Sequence, residues 1–223
     1  MSFQIAIDGP AGAGKSTVAK QVAKQVHAVY VDTGAMYRAM GLYLDSLGID
    51  LSSEAEIGAH CGDARITLEC TEEGQKIYLD GKDVTTAVRE ERAGMLASKT
   101  SAFPPVRIKL SALQKEIAQR QDVVMDGRDI GTAVLPDAQL KIYLTASVET
   151  RANRRYLELI GKGQPADKDA IAADIRQRDD QDMHRAMSPL CQAEDAVYVD
   201  SSEMTIGEVV ERIVKLAAER RER

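Results

Sequence analysis

Residues 9 to 17 read GPAGAGKST and follow directly on the apolar run Phe3–Ile7. So few side chains leave the backbone amides free to face a ligand, and Gly9-x4-Gly14-Lys15-Ser16 has the spacing of a phosphate-binding loop. The segment Gly9, Pro10, Ala11, Gly12, Ala13, Gly14, Lys15, Ser16 and Thr17 is therefore expected to wrap the polyphosphate of ATP. Lys15 would bring a mobile positive charge to the β- and γ-phosphates, and the Ser16 hydroxyl would face a magnesium ion. Further along, seven arginines stand between positions 128 and 185: Arg128, Arg151, Arg154, Arg155, Arg176, Arg178 and Arg185. Arg151, Arg154 and Arg155 share one helical face at i, i+3 and i+4, where they could engage one polyanion.

Two phosphorylated molecules repel each other at contact. Arginines that offset this repulsion, and a segment that closes to exclude water, are the requirements of phosphoryl transfer to an acceptor other than water. The segment Asp126-Gly-Arg-Asp-Ile-Gly131 follows an apolar strand pattern, which places Arg128 and Asp129 at the carboxyl end of a sheet, where ligands of open α/β folds bind. A plain turn, with an aspartate bonding its own backbone, is the alternative for that segment.

The elements that must position these residues are legible as periodicity. Apolar, β-branched runs at Phe3–Ile7, Val29–Val31, Asp122–Met125, Leu140–Leu144 and Ala196–Val199 read as buried strands separated by helical stretches. Val18, Val22 and Val26 repeat at spacing four, and Ile206, Val209, Val210, Ile213, Val214 and Ala217 form an apolar face on the last helix. Alternating strands and helices predict an α/β fold with a parallel sheet covered on both faces. Ala64–Val84 interrupts this rhythm. Its partial alternation, with turn signals at Glu73-Gly74 and Asp80-Gly81, predicts a small antiparallel insertion. Leu159–Lys168, with Gly161, Gly163 and Pro165, predicts a mobile loop between two helices.

The 223 residues, 44% of them hydrophobic, suffice for one substantial core, and a single compact unit is expected. Net charge is −6 with no long basic run, which argues against a nucleic-acid partner or an anionic membrane surface. No stretch approaches the roughly 18 apolar residues of a membrane span. No signal peptide is visible, and Cys61, Cys70 and Cys191 lack metal-ligand spacing, so free thiols in a cytoplasmic protein are expected. The only asparagine is Asn153, so the Asn-Lys-x-Asp motif of guanine-specific switches is absent. His27, His60 and His184 receive no catalytic role.

Taken together, GPAGAGKST, Asp32-Thr-Gly-Ala-Met-Tyr-Arg38, Ser98 with Ala102-Phe-Pro-Pro-Val-Arg107, Asp126-Gly-Arg-Asp129, and Arg178-Asp-Asp-Gln-Asp-Met-His-Arg185 followed by Ser188-Pro resemble the bacterial cytidylate kinases over nearly the whole chain. The resemblance implies a three-layer P-loop fold with a five-stranded parallel sheet in order 2-3-1-4-5, an antiparallel monophosphate-binding insertion and a helical lid. It divides the chain into core segments 1–35, 103–149 and 183–223, a monophosphate-binding region 36–102 whose β insertion covers about 64–84, and a lid at 150–182. It implies transfer of the γ-phosphoryl of ATP, with Mg2+, to CMP or dCMP. Lys15, Arg128, Arg151, Arg155 and Arg185 would carry the transfer, and Arg38, Arg128 and Arg185 would hold the acceptor phosphate. Ser98, Arg107 and Asp129 would read the cytosine, while Tyr37, Arg178 and Asp182 would border the sugar. Thr33 stands where the family has a serine, so its hydroxyl keeps a contact of altered reach.

Cytosine presents an amino donor where uracil presents a carbonyl acceptor, so a carboxylate at Asp129 would accept from the first and repel the second. No general base is required, because an acceptor phosphate oxygen is already anionic. Two alternatives stay open from the residues alone: another small phosphate-loop kinase acting on a different nucleotide or a hydroxyl metabolite, and a nucleotide-binding regulator that closes on ATP without catalysis. No strong exposed apolar stripe calls for a partner, and a monomer is expected.

Overall fold

The computed structural model describes residues 2–71 and 74–222. Five strands, Gln4–Asp8 (β1), Val29–Asp32 (β2), Val123–Gly127 (β6), Leu140–Thr145 (β7) and Val197–Asp200 (β8), form one sheet in the order β2-β6-β1-β7-β8. Every pairing in it is parallel. Counted along the chain these five strands stand in the expected order 2-3-1-4-5, and all five predicted apolar runs fall within or beside them. Four strands extend past the apolar runs to include a carboxylate: Asp8 on β1, Asp32 on β2, Asp126 on β6 and Asp200 on β8. A polar residue ends an apolar pattern without ending the ladder, because its amide still pairs.

Strand alternation divides the core in two. Ile5, Ile7 and Val124 face a cluster with Val18 and Val22 of helix α1 (Lys15–Gln25) and Val209, Val210, Ile213 and Ala217 of helix α8 (Ile206–Arg221). Ala6, Val123 and Met125 face the opposite cluster, with Met36 and Met40 of α2 (Thr33–Ser46) and Leu110 of α5 (Pro104–Arg120). Successive strand residues point to opposite faces, so a continuous apolar run is what a sheet covered on both sides requires. The predicted helical faces need two adjustments. Ile206 is exposed at the start of α8, one residue after the Thr205 capping box, and Val26 is the C-cap of α1 and only half-buried. Both lie where a helix end turns the stripe away from the core.

The irregular segment is a three-stranded antiparallel sheet of β3 (Ile66–Thr71), β4 (Gly74–Leu79) and β5 (Lys82–Asp83). Leu79 pairs with Lys82 across Asp80 and Gly81, whose φ values of 50° and 79° give the positive pair that tight two-residue hairpins demand. The other predicted turn, at Glu73-Gly74, lies in part outside the described residues, as does the Cys70 side chain. Helix α3 (Glu54–Cys61) precedes the insertion. After it, helix α4 (Glu91–Thr100) packs on α2.

Helices α6 (Val148–Gly161) and α7 (Lys168–His184) pack against each other and flank the predicted loop. The start of each is fixed by its own sequence: Ser147 accepts from the Thr150 amide, and Asp167 from those of Asp169 and Ala170. Gly163, at φ 71°, carries the chain out of α6.

Gly41 of α2 sets how closely α4 can approach. A Cβ there would lie 2.9 Å from Leu96 Cβ and 3.0 Å from the Ala97 nitrogen. The contact thereby positions α4, which carries Ser98, one of the residues expected to read the base. Replacement of Gly41 by Val is expected to lower unfolding stability by about 2 kcal/mol, read by denaturant titration, since overpacking of this kind outweighs the gain in helix propensity.

Candidate active site

At the carboxyl end of β1 the chain enters the glycine loop. Gly9 passes so close to β7 that a Cβ would sit 1.9 Å from the Leu144 carbonyl oxygen. Gly14, at φ 85°, is the N-cap of α1 and supplies no side-chain cap, so the leading amides of that helix stay open to an anion. Lys15 is buried, and its Nζ donates to the Pro10 carbonyl at 2.7 Å. Burial, followed by the nearby charge of Arg128, pushes its ammonium down to about 7, against the opposing pull of Asp126, Asp182 and Asp8.

Beneath the loop, Ser16 donates from its hydroxyl to Asp126 Oδ2 at 2.8 Å, and the Tyr30 hydroxyl donates to Oδ1 at 2.9 Å. Burial and the neighbouring Asp32 raise the Asp126 carboxyl above its usual range. Asp126 is thus a site residue that the reading of the glycine loop missed. Its signal was a carboxylate closing an apolar strand beside the loop.

On the acceptor side, Asp129 is the centre of a buried ionic cluster. Arg107 of α5 donates to Oδ2 at 2.6 Å, and Arg185, just past α7, donates to Oδ1 at 3.3 Å. Arg107 also donates to the Ser101 carbonyl at 3.2 Å and lies 5.4 Å from the centroid of the Tyr37 ring. Burial pushes the Tyr37 hydroxyl up to about 12. Asp182 accepts from Arg128 at 2.7 Å and from Arg185 at 3.3 Å. Burial, then Arg107, lowers the Arg185 guanidinium below its usual value. The predicted residues Tyr37, Arg107, Arg128, Asp129, Asp182 and Arg185 are therefore one connected group drawn from α2, α5, α7 and the segment after β6.

Arg38 takes part in no ion pair among the described residues. Burial lowers its guanidinium, Asp32 opposes that shift, and Arg89 and Arg128 add to it, so three guanidiniums converge on one region. Arg89 was not foreseen. It reaches Asp32 at 2.7 Å from a short 3-10 turn, Ala87–Arg89, after the insertion, and nothing in its local sequence marks it. Ser98 is exposed on the last turn of α4, near Ser101. Thr33 is buried and donates to the Asp126 carbonyl at 2.6 Å, which leaves only hydroxyl lone pairs for a ligand. Arg178 is half-buried and reaches Asp174 at 3.8 Å, away from the cluster.

The three arginines of α6 each reach a different protein acceptor. Arg151 is buried against the glycine loop, donating to the Ala11 carbonyl at 2.8 Å and reaching Asp179 at 2.7 Å. Arg154 donates to the Ser201 carbonyl at 2.7 Å, beyond β8. Arg155 is exposed and pairs with Glu158 at 2.9 Å. Helical spacing sets where side chains leave the backbone, but the long side chains diverge, Arg151 and Arg154 to other elements and Arg155 along its own helix.

A parallel sheet that ends in a glycine loop with a lysine and a serine, beside a buried cluster of arginines and carboxylates, defines a P-loop phosphotransferase. Similarity to known proteins agrees in fold: shikimate kinase from Acinetobacter baumannii, in complex with shikimate, superimposes with a TM-score of 0.50 at 16% identity, over 98% of this chain and 94% of that one. The family described as Cytidylate kinase matches residues 5–219. The cytidylate kinase of Shouchella clausii is 46% identical over 217 residues, covering 97% of this chain and 96% of the relative. That of Desulfitobacterium hafniense is 48% identical over 215 residues, covering 96% and 92%. The chain belongs to the cytidylate kinase family.

The lowered Lys15 gives a pH dependence with a definite sign. ATP phosphates favour the ammonium form, so binding raises its pKa from about 7 and takes up a proton when the pH lies above that value. Affinity for ATP is expected to be fully developed below pH 7 on this account and to fall as pH rises beyond it. Calorimetry in buffers of different ionisation enthalpy should detect proton uptake in the native enzyme that Lys15→Met lacks.

Proposed function

We propose that the protein transfers the γ-phosphoryl group of ATP to CMP or dCMP by in-line attack of an acceptor phosphate oxygen, with each substrate held by the residues described above. The observation that carries the acceptor assignment is the buried contact of Asp129 with Arg107 and Arg185. Two guanidiniums fix the plane of its carboxylate and leave lone pairs for the exocyclic amino group of cytosine. The carbonyl of uracil, placed at the same point, would face oxygen with oxygen.

Arg38, Arg128 and Arg185 hold the acceptor phosphate, and Arg38, without an ionic partner of its own, is the guanidinium that gains most from its arrival. Tyr37 and Asp182 flank the nucleoside. Ser98 and Thr33 contribute hydroxyls at the edge, and Arg178 reaches the sugar by leaving Asp174. Lys15 and the loop amides neutralise the charge that spreads over the transferring group.

The Ser16 hydroxyl and the Asp126 carboxylate, 2.8 Å apart, are oxygen donors suited to a magnesium ion that binds mainly through phosphates and water. Bound there with ATP, Mg2+ would supply charge neutralisation. The segment 150–182, comprising most of α6 and α7, acts as the lid. Its closure excludes water and moves Arg151 and Arg155 from Asp179 and Glu158 toward the polyphosphate. The thiols of Cys61 and Cys191 are free, in keeping with a reducing compartment, and we assign the enzyme to the cytoplasm as a monomer.

A coupled assay of ADP formation with CMP, dCMP, UMP, AMP and GMP as acceptors tests this reading. CMP and dCMP should dominate; equal use of UMP would remove Asp129 from its role. Asp129→Asn should narrow the CMP preference over UMP. Lys15→Met should lower kcat by about 100-fold or more while the protein remains folded, by circular dichroism.

A further inference from the structure

Asp8 closes β1 immediately before Gly9 and is buried. Phosphate binding and base reading leave its carboxylate without a task, yet both oxygens are engaged. Oδ1 accepts the Ile130 amide at 2.8 Å, and Oδ2 accepts the Gly131 amide at 2.7 Å. These are the first two amides of a single π-helical turn, Ile130–Val134, and Asp129 is the residue that leads into it, at φ −144° and ψ 23°. The leading amides of a helical turn have no partner within it, and a buried amide left unpaired is costly. Asp8 satisfies both with charge-assisted bonds. The approach is close: a Cβ on Gly131 would lie 3.3 Å from Asp8 Oδ2 and 3.2 Å from Lys141 Cδ.

We propose that Asp8 is a positioning residue for base selection, whose carboxylate clamps the backbone of the turn carrying Asp129 to the strand that launches the phosphate loop. This rests on Asp129 as the reader of cytosine. Arg107 and Arg185 hold only the carboxylate end of Asp129, and they reach it from α5 and from the residue after α7. The backbone end is held by the Asp8 clamp, which references it to the central strand of the sheet. Discrimination between an amino donor and a carbonyl acceptor depends on hydrogen-bond distance and angle, so loosening the backbone end weakens it even with both guanidiniums in place.

Burial pushes the Asp8 carboxyl up to about 6, the two amides pull it down, and the charges of Asp129 and Lys15 act on it in opposite directions. At pH 7.5 it is therefore mainly the ionised, two-bond acceptor. Asparagine keeps its shape but turns an amino group toward one of the two amides, which removes one clamp bond and sets donor against donor.

Asp8→Asn and Asp129→Asn should be assayed together at pH 7.5 for kcat/KM with CMP and with UMP at saturating ATP, alongside thermal melts. The Asp8 variant is expected to narrow the CMP-to-UMP ratio by about 10-fold, chiefly through a raised KM for CMP, with KM for ATP changed by less than about threefold. If Asp129→Asn narrows the ratio while Asp8→Asn leaves it unchanged, Asp8 is structural only and the proposal is overturned. If Asp129→Asn leaves it unchanged, the reader assignment fails and the proposal falls with it. Should Asp8→Asn not fold, hydrogen exchange on the native enzyme decides the matter. By reciprocity of coupling, CMP should slow exchange of the Ile130 and Gly131 amides about 10-fold more than UMP at equal occupancy. Equal protection would overturn the proposal.

Discussion

The contact between Arg107 and Asp129, 2.6 Å long and almost wholly out of water, is the constraint on which the buried ionic cluster of this protein depends. Removing two charges from solvent is expensive, and their attraction offsets the cost only if geometry is good and the remaining hydrogen-bonding groups are supplied. The fold supplies them from several directions. Arg185 takes the second oxygen of Asp129, the Ser101 carbonyl accepts from Arg107, and the Tyr37 ring covers the guanidinium. Through that pair and the contact of Arg185, α5, the turn after β6 and the end of α7 are held in register. Breaking a buried pair by removing one partner typically costs about 3–5 kcal/mol, so function and stability are hard to separate at this point.

The cations assigned to phosphates obey a different rule. Lys15 of the glycine loop and Arg38 of α2 are held where burial disfavours their charges, and Arg38 takes part in no ion pair among the described residues. An anion placed beside them would favour both charged forms, so part of the electrostatic cost of burying these cations would be returned on binding. The carboxylates Asp8 and Asp126 show how the sheet takes part. Each ends a strand at the carboxyl edge, and each turns its oxygens to a neighbouring element, Asp8 to the turn after Asp129 and Asp126 to the serine of the loop and to Tyr30. Donor and acceptor sites are thereby tied to adjacent strands, β1 and β6, with little intervening chain.

Much of this was written in local sequence. GPAGAGKST specified loop, helix start and ligand type together, because glycines, a lysine and a hydroxyl at that spacing have few other uses. The five strand patterns and the insertion were legible for the same reason: continuous apolar runs, alternation and tight turns are set by neighbours along the chain. The acceptor residues were recognisable as motifs, Asp126-Gly-Arg-Asp129 and the arginine-rich run to Arg185, although their partners were not. Asp8 and Arg89 escaped notice, and Asp126 and Asp179 were quoted within motifs but given no role, since each acts through a residue distant in sequence. The contacts of Arg151, Arg154 and Arg155 were illegible for a related reason: a shared helical face fixes Cβ positions, while the long side chains diverge, two of them to acceptors on other elements and Arg155 to Glu158 of its own helix.

By itself the sequence determined the phosphate loop, the alternating order of strands and helices, and the chemical types gathered in each motif, all of which depend on interactions over a few residues. The tertiary structure alone decided which charges meet. That Arg107 and Arg185 converge on one carboxylate, that Asp8 holds the turn beyond it, and that Arg154 turns away follow from packing elements far apart in the chain. Burial makes the pairing of those charges decisive, and burial is a property of the assembled fold rather than of any segment.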